Sequence, residues 1–513
     1  MKIPSSILRH LYTFGSLINT KEGVRFSLMN QLSDATLTAI NRIEINGERM
    51  DLEKVRMKAR NEWNTASEVS EENPVAFHIG QRVDVHLPIN ELEKDVEHVL
   101  TLSFKAKGYG QLVFDVKDRV KNIDRKIRSI PYDKERDLTE EIIKARQDYI
   151  GEFSGKKLEH ITNYSFDPEI TRGNIESFTG VAQVPIGFAG PIKVNGEHAK
   201  GDFVIPLATS EGTLVASYNR GMKIINLSGG AITTVVDERM QRAPVFIFDS
   251  AREAREFGRW VDDHLEPIKQ AAESTSKVAK LDSIDKFLAS KFVFLRFNFY
   301  TGDAAGQNMV GKATFVACSW IMENFDGIRN FYLESNFATD KKGSQVNILH
   351  TRGKRVTAEV TIKRDILLKY LRVDIDTLLS HNRVANIGAF MSGANNNGLH
   401  AANSITAMFI ACGQDVANVA ESSAGILYAE KTPEGDMYIS LTLPSLIVAT
   451  FGGGTGLATQ KECLDVLDCY GKGKVKKFAE IVTAVALAGE ISLAAAISSL
   501  EWVPSHDKLG RNR

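Results

Sequence analysis

The pattern of apolar residues changes between residues 120 and 140, and this change constrains the fold more than any other feature of the sequence. Before it, segments 77–89 and 98–118 alternate apolar and polar residues, and Asn46-Gly47 is a hairpin signal. Such period-two alternation predicts antiparallel strands with one buried face. After it, glycine-rich turns alternate with apolar helical segments. We therefore expect a β-rich domain at 1–130, followed by a larger α/β part.

Length and composition indicate a multidomain globular protein. The chain has 513 residues, of which 43% are hydrophobic and 25% charged, and a chain of this length rarely forms a single core. A formal net charge of −1 gives no overall field that attracts nucleic acid, so we expect no nucleic-acid partner. Four cysteines without a CxxC pair favour a reducing compartment, and neither a disulfide framework nor a metal site is expected.

Segment 481–500 has nearly the length of a membrane-spanning helix. It is rich in Ala and Ser and carries Glu490 near its centre, where an ionised carboxylate in lipid would cost about 3 kcal/mol. The first 20 residues contain no long apolar run of the kind found in signal peptides. We therefore predict a buried helix at 481–500, a cytoplasmic protein and no membrane contact.

Five polar segments place ionisable residues among small, turn-prone neighbours, where a ligand can approach closely. They are 208–221, 301–309, 338–345, 400–423 and 504–513. Each has an ordinary structural explanation when taken alone: Glu211 can be a helix-start residue, and Lys341 with Lys342 can be a solvated surface pair. The glycine-rich runs 301–306 and 451–456 let the backbone approach phosphate, but neither has the GxGxxG spacing of a Rossmann site.

Taken together, the segments resemble the catalytic part of 3-hydroxy-3-methylglutaryl-CoA (HMG-CoA) reductases, in order and in spacing, over about residues 160–513. The motifs that carry the resemblance are ESFTGVAQVPIGFAGPIKVNG (176–196), ATSEGTLVASYNRG, TGDAAGQNM, TDKK, HAAN followed by GQD, TFGGGTG and SHDKLGRNR. The resemblance implies an oxidoreductase that converts HMG-CoA to mevalonate and CoA by two successive hydride transfers. NADPH is the implied cofactor, with NADH less favoured.

The resemblance assigns the chemistry to four residues. Lys341 matches the lysine that stabilises negative charge on the substrate carbonyl oxygen, where a preorganised cation contributes most. Glu211 matches the glutamate that protonates the aldehyde oxygen. Asp415 matches the aspartate that hydrogen-bonds among Lys341 and Glu211. His506 matches the histidine that protonates the departing CoA thiolate, a task that suits an imidazole.

The resemblance also implies binding residues for substrate and cofactor. The substrate-binding residues are Arg242, Lys342, Arg383 and Asn403 for the hydroxymethylglutaryl group, and Ser217, Asn219, Arg220 and His400 for CoA. The cofactor-binding residues are Ser276, Lys277, Asp303, Ala305, Gly306, Gln307, Asn308, Gly453, Gly454 and Thr455. Ser276 and Lys277 match a Ser-Arg pair at the 2′-phosphate of NADP, where lysine keeps the charge but loses the guanidinium fork.

Two departures from the family pattern leave alternatives open. Glu334 stands where a small serine is expected, and Arg383 where a lysine is expected. A reductase of a related acyl-CoA thioester is therefore one alternative. A non-catalytic CoA-binding sensor on the same fold is the other, although a sensor has no need for a proton relay.

The implied fold is a large mixed α/β catalytic domain with a long central helix (131–242 and 334–513), interrupted by a small ferredoxin-like NADP(H)-binding insertion (243–333). The implied assembly is a homodimer or a higher homo-oligomer with its active site at the subunit interface. The β-rich residues 1–130 have no counterpart in the soluble core of the family. They could bind a regulator, support oligomerisation, tether a partner or form a structural appendage.

Overall fold

The N-terminal part of the chain forms two five-stranded antiparallel sheets. The computed structural model describes residues 8–31, 34–59, 62–120 and 129–500. The strands are β1 Ile18–Thr20, β2 Gly23–Met29, β3 Ala35–Ile45, β4 Glu48–Arg49, β5 Arg56–Ala59, β6 Glu62–Thr65, β7 Val75–Phe77, β8 Arg82–Leu87, β9 Glu97–Ala106 and β10 Gly110–Arg119. One sheet has the order β1-β2-β8-β5-β6, and the other has β10-β9-β3-β4 with β7 paired to β3. Their alternating apolar residues form one separate core, so the predicted β-rich domain is confirmed.

A single buried arginine anchors the segment that joins this domain to the rest of the chain. Helix α1 (Glu140–Ser154) carries Arg146, whose side chain is fully buried. Its guanidinium forms an ion pair with Asp137 and donates to the carbonyl oxygens of Pro131 (2.9 Å) and Phe178 (2.9 Å). Because Phe178 lies in the ESFTG motif, Arg146 fixes that motif against α1.

The remaining elements alternate helices and strands, as the sequence predicts. The strands are β11 Ile186–Asn195, β12 Lys200–Ala208, β13 Ile232–Arg242, β14 Val245–Ile247, β15 Lys280–Ala289, β16 Phe292–Tyr300, β17 Asn330–Tyr332, β18 Gly353–Ile362, β19 Ile426–Lys431 and β20 Met437–Leu446. The helices are α2 Leu214–Leu227, α3 Ala251–Asp263, α4 Leu265–Glu273, α5 Gln307–Asn324, α6 Gln345–Leu349, α7 Arg364–Ile366, α8 Ile375–Ser392, α9 Ala401–Ala411, α10 Val419–Ser422, α11 Ala458–Val466 and α12 Val475–Ser498.

The elements from β14 to β17 form a small unit with its own core. Their order is strand, helices, strand, strand, helix, strand, which is the order of a ferredoxin-like unit. Strand β13 links this unit to the catalytic sheet, because its last residues pair with β16 and its earlier residues pair with β18. Phenylalanine side chains of β16 pack against α3 and α5 in the core of the unit. The expected small insertion therefore shares a strand with the large domain.

Helix α12 is the centre of the large domain. Among the described helices it is the one long and apolar enough to cross a membrane, yet 78% of its most apolar stretch is buried inside the molecule. It packs so closely on α2 that a Cβ on Gly221 would lie 1.8 Å from the Ala488 carbonyl oxygen. Only glycine permits this approach. The prediction of a buried helix at 481–500 is confirmed, and the helix is longer than predicted.

Candidate active site

The loop between β17 and α6 holds Lys341 in an unusual backbone conformation. Lys341 has φ +57° and Thr339 has φ +55°, a left-handed region that side-chain-bearing residues adopt only where their surroundings impose it. The Lys341 N–H donates to Glu421 Oε1 (3.0 Å). Asn347 Nδ2 donates to the carbonyl oxygens of Thr339 and Lys342 (3.1 Å each). These bonds fix the direction in which the Lys341 side chain leaves the loop.

The Lys341 side chain is paired with Asp415. Its Nζ lies 2.9 Å from Asp415 Oδ2, and the two side chains are 43% and 47% exposed. Asp415 begins the turn that leads to α10 and accepts a hydrogen bond from the Ala417 N–H (3.1 Å). The hydrogen bond with Asp415 raises the pKa of Lys341 above its usual range, and the charges of Asp415, Asp340 and Glu421 act in the same direction. Lys341 is therefore a stable cation that still faces solvent.

Arg242 lies at the end of β13, close to the same loop. Its Nη1 is 3.5 Å from Glu334 Oε2 and 4.0 Å from Asp340 Oδ2, and its Nη2 donates to the Gln307 carbonyl oxygen (3.2 Å). Lys342 is exposed, and its Nζ donates to the Asp340 carbonyl oxygen (3.1 Å). Arg242, Lys341, Lys342 and Asp415 form what we call the lysine group.

A second group of predicted residues surrounds His400, at the start of α9. His400 Nε2 lies 3.3 Å from Ser217 Oγ, and its Nδ1 lies 3.0 Å from Asn403 Nδ2. Ser217 Oγ is also 3.0 Å from Ser492 Oγ on α12, and Arg220 Nε donates to the same Ser492 oxygen (3.1 Å). We call Ser217, Arg220, His400 and Asn403 the histidine group.

Two residues outside the predicted set hold His400 in place. The Tyr218 ring stacks on the His400 ring with 4.8 Å between centroids, and the Tyr218 hydroxyl donates to the His400 carbonyl oxygen (2.7 Å). The fully buried carboxylate of Glu490 accepts from the N–H groups of Leu399, His400 and Ala401 (2.8, 2.7 and 2.9 Å). Burial raises the pKa of Glu490, and the three N–H groups partly oppose that shift. In the sequence, Glu490 is distinguished only as a charged residue within an apolar segment, and nothing there indicates its contact with His400.

Glu211 lies in the turn that precedes α2, and Asn219 lies within that helix, which also carries Ser217 and Arg220 of the histidine group. Glu211 is exposed, and its N–H donates to Thr209 Oγ1 (3.0 Å). Asn219 Oδ1 accepts from the Gly190 N–H (2.7 Å). Within the described part of the chain, no hydrogen bond or ion pair connects Glu211 to Lys341 or Asp415, whereas Lys341 and Asp415, two members of the expected catalytic cluster, are paired. Arg383 is exposed on α8, and His506 lies outside the described residues.

The two glycine-rich loops predicted to bind the cofactor lie against each other. The Thr450 N–H donates to the Asp303 carbonyl oxygen (3.2 Å). The Asp303 carboxylate accepts from the N–H groups of Gly473 (2.8 Å) and Val475 (3.3 Å) at the start of α12. A Cβ on Gly454 would lie 2.6 Å from the Gly413 carbonyl oxygen. The Asp303 side chain therefore serves as a helix cap, and the loops present backbone and small residues.

The other predicted cofactor residues surround these loops. Gly306 has φ +81° and begins α5, next to Ala305 and the exposed Asn308. Gln307 Nε2 donates to Asp340 Oδ1 (3.2 Å) and to Asn418 Oδ1 (3.3 Å), which joins α5 to the lysine group. Gly453 is exposed, and the buried Thr455 donates to the Gly452 carbonyl oxygen (2.7 Å).

Ser276 and Lys277 are close to the first loop. Ser276 Oγ accepts from the N–H groups of Val278 (3.1 Å) and Ala279 (3.2 Å), and Lys277 is exposed. The Val278 side chain lies 3.5 Å from where a Cβ on Gly302 would be. One exposed cation thus stands beside a loop whose backbone is accessible, an arrangement that suits a phosphate group.

Comparison with known proteins gives matches over most of the chain. Residues 142–511 match the family model described as hydroxymethylglutaryl-coenzyme A reductase. Residues 7–121 match the model described as hydroxymethylglutaryl-CoA reductase, N-terminal domain. The second match shows that the N-terminal residues, for which no counterpart in the soluble core of the family was expected, correspond to a described N-terminal domain of the family.

Named relatives and a solved structure agree with these models. The 3-hydroxy-3-methylglutaryl-coenzyme A reductase of Pyrococcus horikoshii is 44% identical over 365 residues, covering 70% of this chain and 88% of that protein. The enzyme of Methanocaldococcus jannaschii is 44% identical over 373 residues, covering 71% and 92%. The NADPH-bound class II reductase of Streptococcus pneumoniae has a similar fold, with a TM-score of 0.52 and 18% identity over 71% of this chain and 97% of that one. The chain therefore belongs to the hydroxymethylglutaryl-CoA reductase family of oxidoreductases.

Proposed function

We propose that Lys341, Asp415, Glu211 and His506 carry the reduction of HMG-CoA to mevalonate, the reaction of the family to which the chain belongs, with NADPH as the reductant. The observation that supports this most strongly is the Lys341–Asp415 pair, a cation fixed on a strained loop yet open to solvent. An ion pair that only stabilised the fold would not need this exposure to solvent. A positioned cation that is open to a ligand suits the stabilisation of charge on a substrate.

The chemistry requires a cation at the substrate carbonyl oxygen in each reduction. NADPH, when bound, supplies one hydride for each reduction, so two NADPH are consumed. Each hydride transfer converts a carbonyl into an alkoxide, and the Lys341 ammonium stabilises that oxygen. After the first transfer the carbon–sulfur bond of the hemithioacetal breaks, which releases the CoA thiolate and leaves the aldehyde that the second transfer reduces. Asp415 keeps Lys341 protonated and orients it, because their hydrogen bond favours the charged amine. Glu211 donates a proton to the aldehyde oxygen, and His506 protonates the CoA thiolate, which prevents its return.

The preference for NADPH rests on Lys277. Its side chain is exposed next to the backbone of the 301–306 loop, and a single ammonium favours the 2′-phosphate of NADPH over the 2′-hydroxyl of NADH. We expect K277A to raise the KM for NADPH by about tenfold or more, because a charge-assisted contact to a phosphate is worth at least about 1.5 kcal/mol, and to leave the KM for NADH unchanged. Equal effects on both cofactors would contradict this role.

A second copy of the chain completes the site. The lysine group comes from the end of β13, the loop before α6 and the turn before α10, whereas the histidine group comes from α2 and the start of α9. Helix α8 exposes a row of large apolar side chains next to Arg383, with Phe390 86% and Met391 80% exposed. Such a face is characteristic of a subunit interface. We infer that the lysine group of one subunit works with Glu211 and the histidine group of its partner.

Mixed dimers test this arrangement. K341A and E211A chains, each inactive alone, are unfolded together and refolded as a mixture. If the site lies between subunits, hybrid dimers contain one intact site, and activity returns in the mixture. A mixture that stays inactive, while size measurements show that hybrid dimers formed, would place both residues in one chain's own site.

The acid part of the substrate needs its own test, because Glu334 lies 3.5 Å from Arg242. A reductase of a related acyl-CoA thioester is the candidate that this contact favours. Wild-type protein is assayed for NADPH oxidation with HMG-CoA and with CoA thioesters that lack the terminal carboxylate or the 3-hydroxyl group. HMG-CoA is expected to have the highest kcat/KM, with two NADPH consumed for each mevalonate. A higher kcat/KM for a thioester without the carboxylate would favour the alternative.

A further inference from the structure

We propose that Glu421 is a positioning residue that holds the Lys341 loop in its active conformation. This inference depends on the proposed role of Lys341. Glu421 lies on α10, six residues after Asp415, and its side chain is fully buried. It does not face the open site, so its influence on the reaction must pass through the residues that it contacts.

One oxygen of Glu421 binds three donors from different parts of the chain. Glu421 Oε1 accepts from the Lys341 N–H (3.0 Å), from Asn418 Nδ2 (3.0 Å) and from Arg352 Nε (3.4 Å). The Lys341 bond crosses 80 residues of sequence. Glu421 is thus the point where the Lys341 loop, the turn after Asp415 and the residue that precedes β18 meet.

Arg352 extends this hold to the residue before Lys341. Its side chain is fully buried, with Nη2 2.5 Å from Asp340 Oδ1 and Nη1 donating to the Gln241 carbonyl oxygen (3.2 Å). Asp340 is therefore held by its side chain, and Lys341 by its backbone N–H. Glu421 and Asp340 both bind the Arg352 guanidinium. The adjacent residues Asp340 and Lys341 are therefore held by one connected pair, Arg352 and Glu421.

The backbone of Lys341 needs such a restraint. A left-handed conformation at a residue with a side chain is unfavourable and persists only where several contacts require it. Without the acceptor at Glu421, the loop is free to relax toward a right-handed conformation. That change would move the Lys341 ammonium away from Asp415 and from the carbonyl oxygen that it stabilises.

The other oxygen of Glu421 indicates that stability alone does not explain this residue. Glu421 Oε2 is buried and accepts no hydrogen bond from the residues that the structure describes. Burial raises the pKa of Glu421, against the opposing effect of its donors. A buried carboxylate oxygen of this kind is costly, so a role in stability alone does not account for it.

Two variants separate the acceptor from the charge, and a third serves as a control. E421Q can keep an acceptor at Oε1 and loses the charge, whereas E421L loses both. Glu480 is a matched control, because it is also fully buried and accepts from the N–H groups of Glu197, His198 and Ala199, in a different part of the domain. Melting temperatures report folding for each variant, and kcat and KM are measured with HMG-CoA.

We expect kcat to fall in the order wild type, E421Q, E421L, with E421L lower than wild type by about tenfold or more, since a mispositioned oxyanion donor loses much of its effect. The KM for HMG-CoA should change little, because Lys341 acts mainly on the charge of the transition state. E480Q should keep kcat even if its melting temperature falls. A folded E421L with the kcat of wild type overturns the inference, and so does an equal loss of kcat in E480Q.

A double-mutant cycle with K341A shows whether Glu421 acts through Lys341. Hydride transfer is followed in single turnovers at high enzyme concentration for E421L, K341A and the double variant. If Glu421 works only by positioning Lys341, E421L causes no further loss once Lys341 is absent. Losses that multiply would overturn the inference while leaving the role of Lys341 intact. A K341A variant with wild-type kcat would instead refute the proposed role of Lys341 itself.

Discussion

The Arg242 guanidinium lies 3.5 Å from the carboxylate of Glu334, a residue in whose place the resemblance led us to expect a small serine. The Glu334 carboxylate therefore lies beside the guanidinium that we expect to bind the hydroxymethylglutaryl group of HMG-CoA through its carboxylate. Both groups are partly open to solvent, so water and ions weaken their attraction. To bind Arg242, the substrate carboxylate must either displace the Glu334 carboxylate or lie close to it.

Replacing Glu334 with serine should strengthen substrate binding. We expect E334S to lower the KM for HMG-CoA by about two- to fivefold, because a partly exposed ion pair is worth about 1 kcal/mol or less. Steady-state kinetics at several salt concentrations measure the effect, which should shrink as salt screens the charges. An unchanged or higher KM would show that Glu334 does not compete with the substrate.

Asp415 should keep Lys341 protonated to a higher pH. The pKa of Lys341 is raised mainly by its hydrogen bond with Asp415, so wild-type Lys341 keeps its proton to a higher pH than a free lysine does. In D415N the pKa of Lys341 should fall, because the hydrogen bond and the negative charge of the carboxylate are weakened or lost. An NMR titration of the lysine side-chain nitrogens, with Lys341 assigned by its absence in K341A, checks this, and an unchanged titration of Lys341 in D415N would contradict the role of Asp415.

The contact between α2 and α12 should tolerate no side chain at Gly221. A Cβ there would lie 1.8 Å from the Ala488 carbonyl oxygen, so G221A should lower the free energy of unfolding by about 1–3 kcal/mol or more. Gly258 on α3 is the control, because its nearest neighbour would be an ordinary 3.7 Å away. G258A should be neutral or stabilising, by up to about 1 kcal/mol. Urea unfolding that shows equal stability for both variants would contradict this contact.

The apolar face of α8 should determine assembly. F390D places a charge at the most exposed of the large apolar side chains on this helix, and we expect it to shift sedimentation toward the monomer and to abolish turnover together. Val113, 45% exposed on β10 of the N-terminal domain, is the control, and V113D should leave both unchanged. An F390D protein that stays oligomeric and active would show that the interface lies elsewhere.

Much of the fold could be predicted from local patterns. The alternation in 98–118 produced the β9–β10 hairpin, and the apolar stretch at 481–500 became the buried part of α12. Asn46 and Gly47 form the predicted turn with φ of +52° and +85°. These features depend on neighbours in sequence, which is why the sequence reveals them.

The residues that hold the site residues in place could not be predicted in this way. Glu421 and Glu490 act on backbone N–H groups 80 and 90 residues away, and nothing in their local sequence indicates those partners. The Asp303 side chain is in a loop predicted to bind the cofactor, but its carboxylate caps α12, 170 residues later. The sequence motifs predicted the residues that face the site, and only the tertiary contacts reveal the residues that hold them.

The most direct measurement is kcat for NADPH oxidation at saturating HMG-CoA, compared among wild type, K341A and K144A. Lys144 is an exposed lysine on α1 whose partner is Asp148, and its removal controls for the loss of a positive charge. We predict that K341A lowers kcat by about 10²–10³-fold, the usual effect of removing an oxyanion-stabilising group, and that K144A keeps wild-type kcat. A folded K341A protein with kcat within about twofold of wild type would contradict the proposed mechanism.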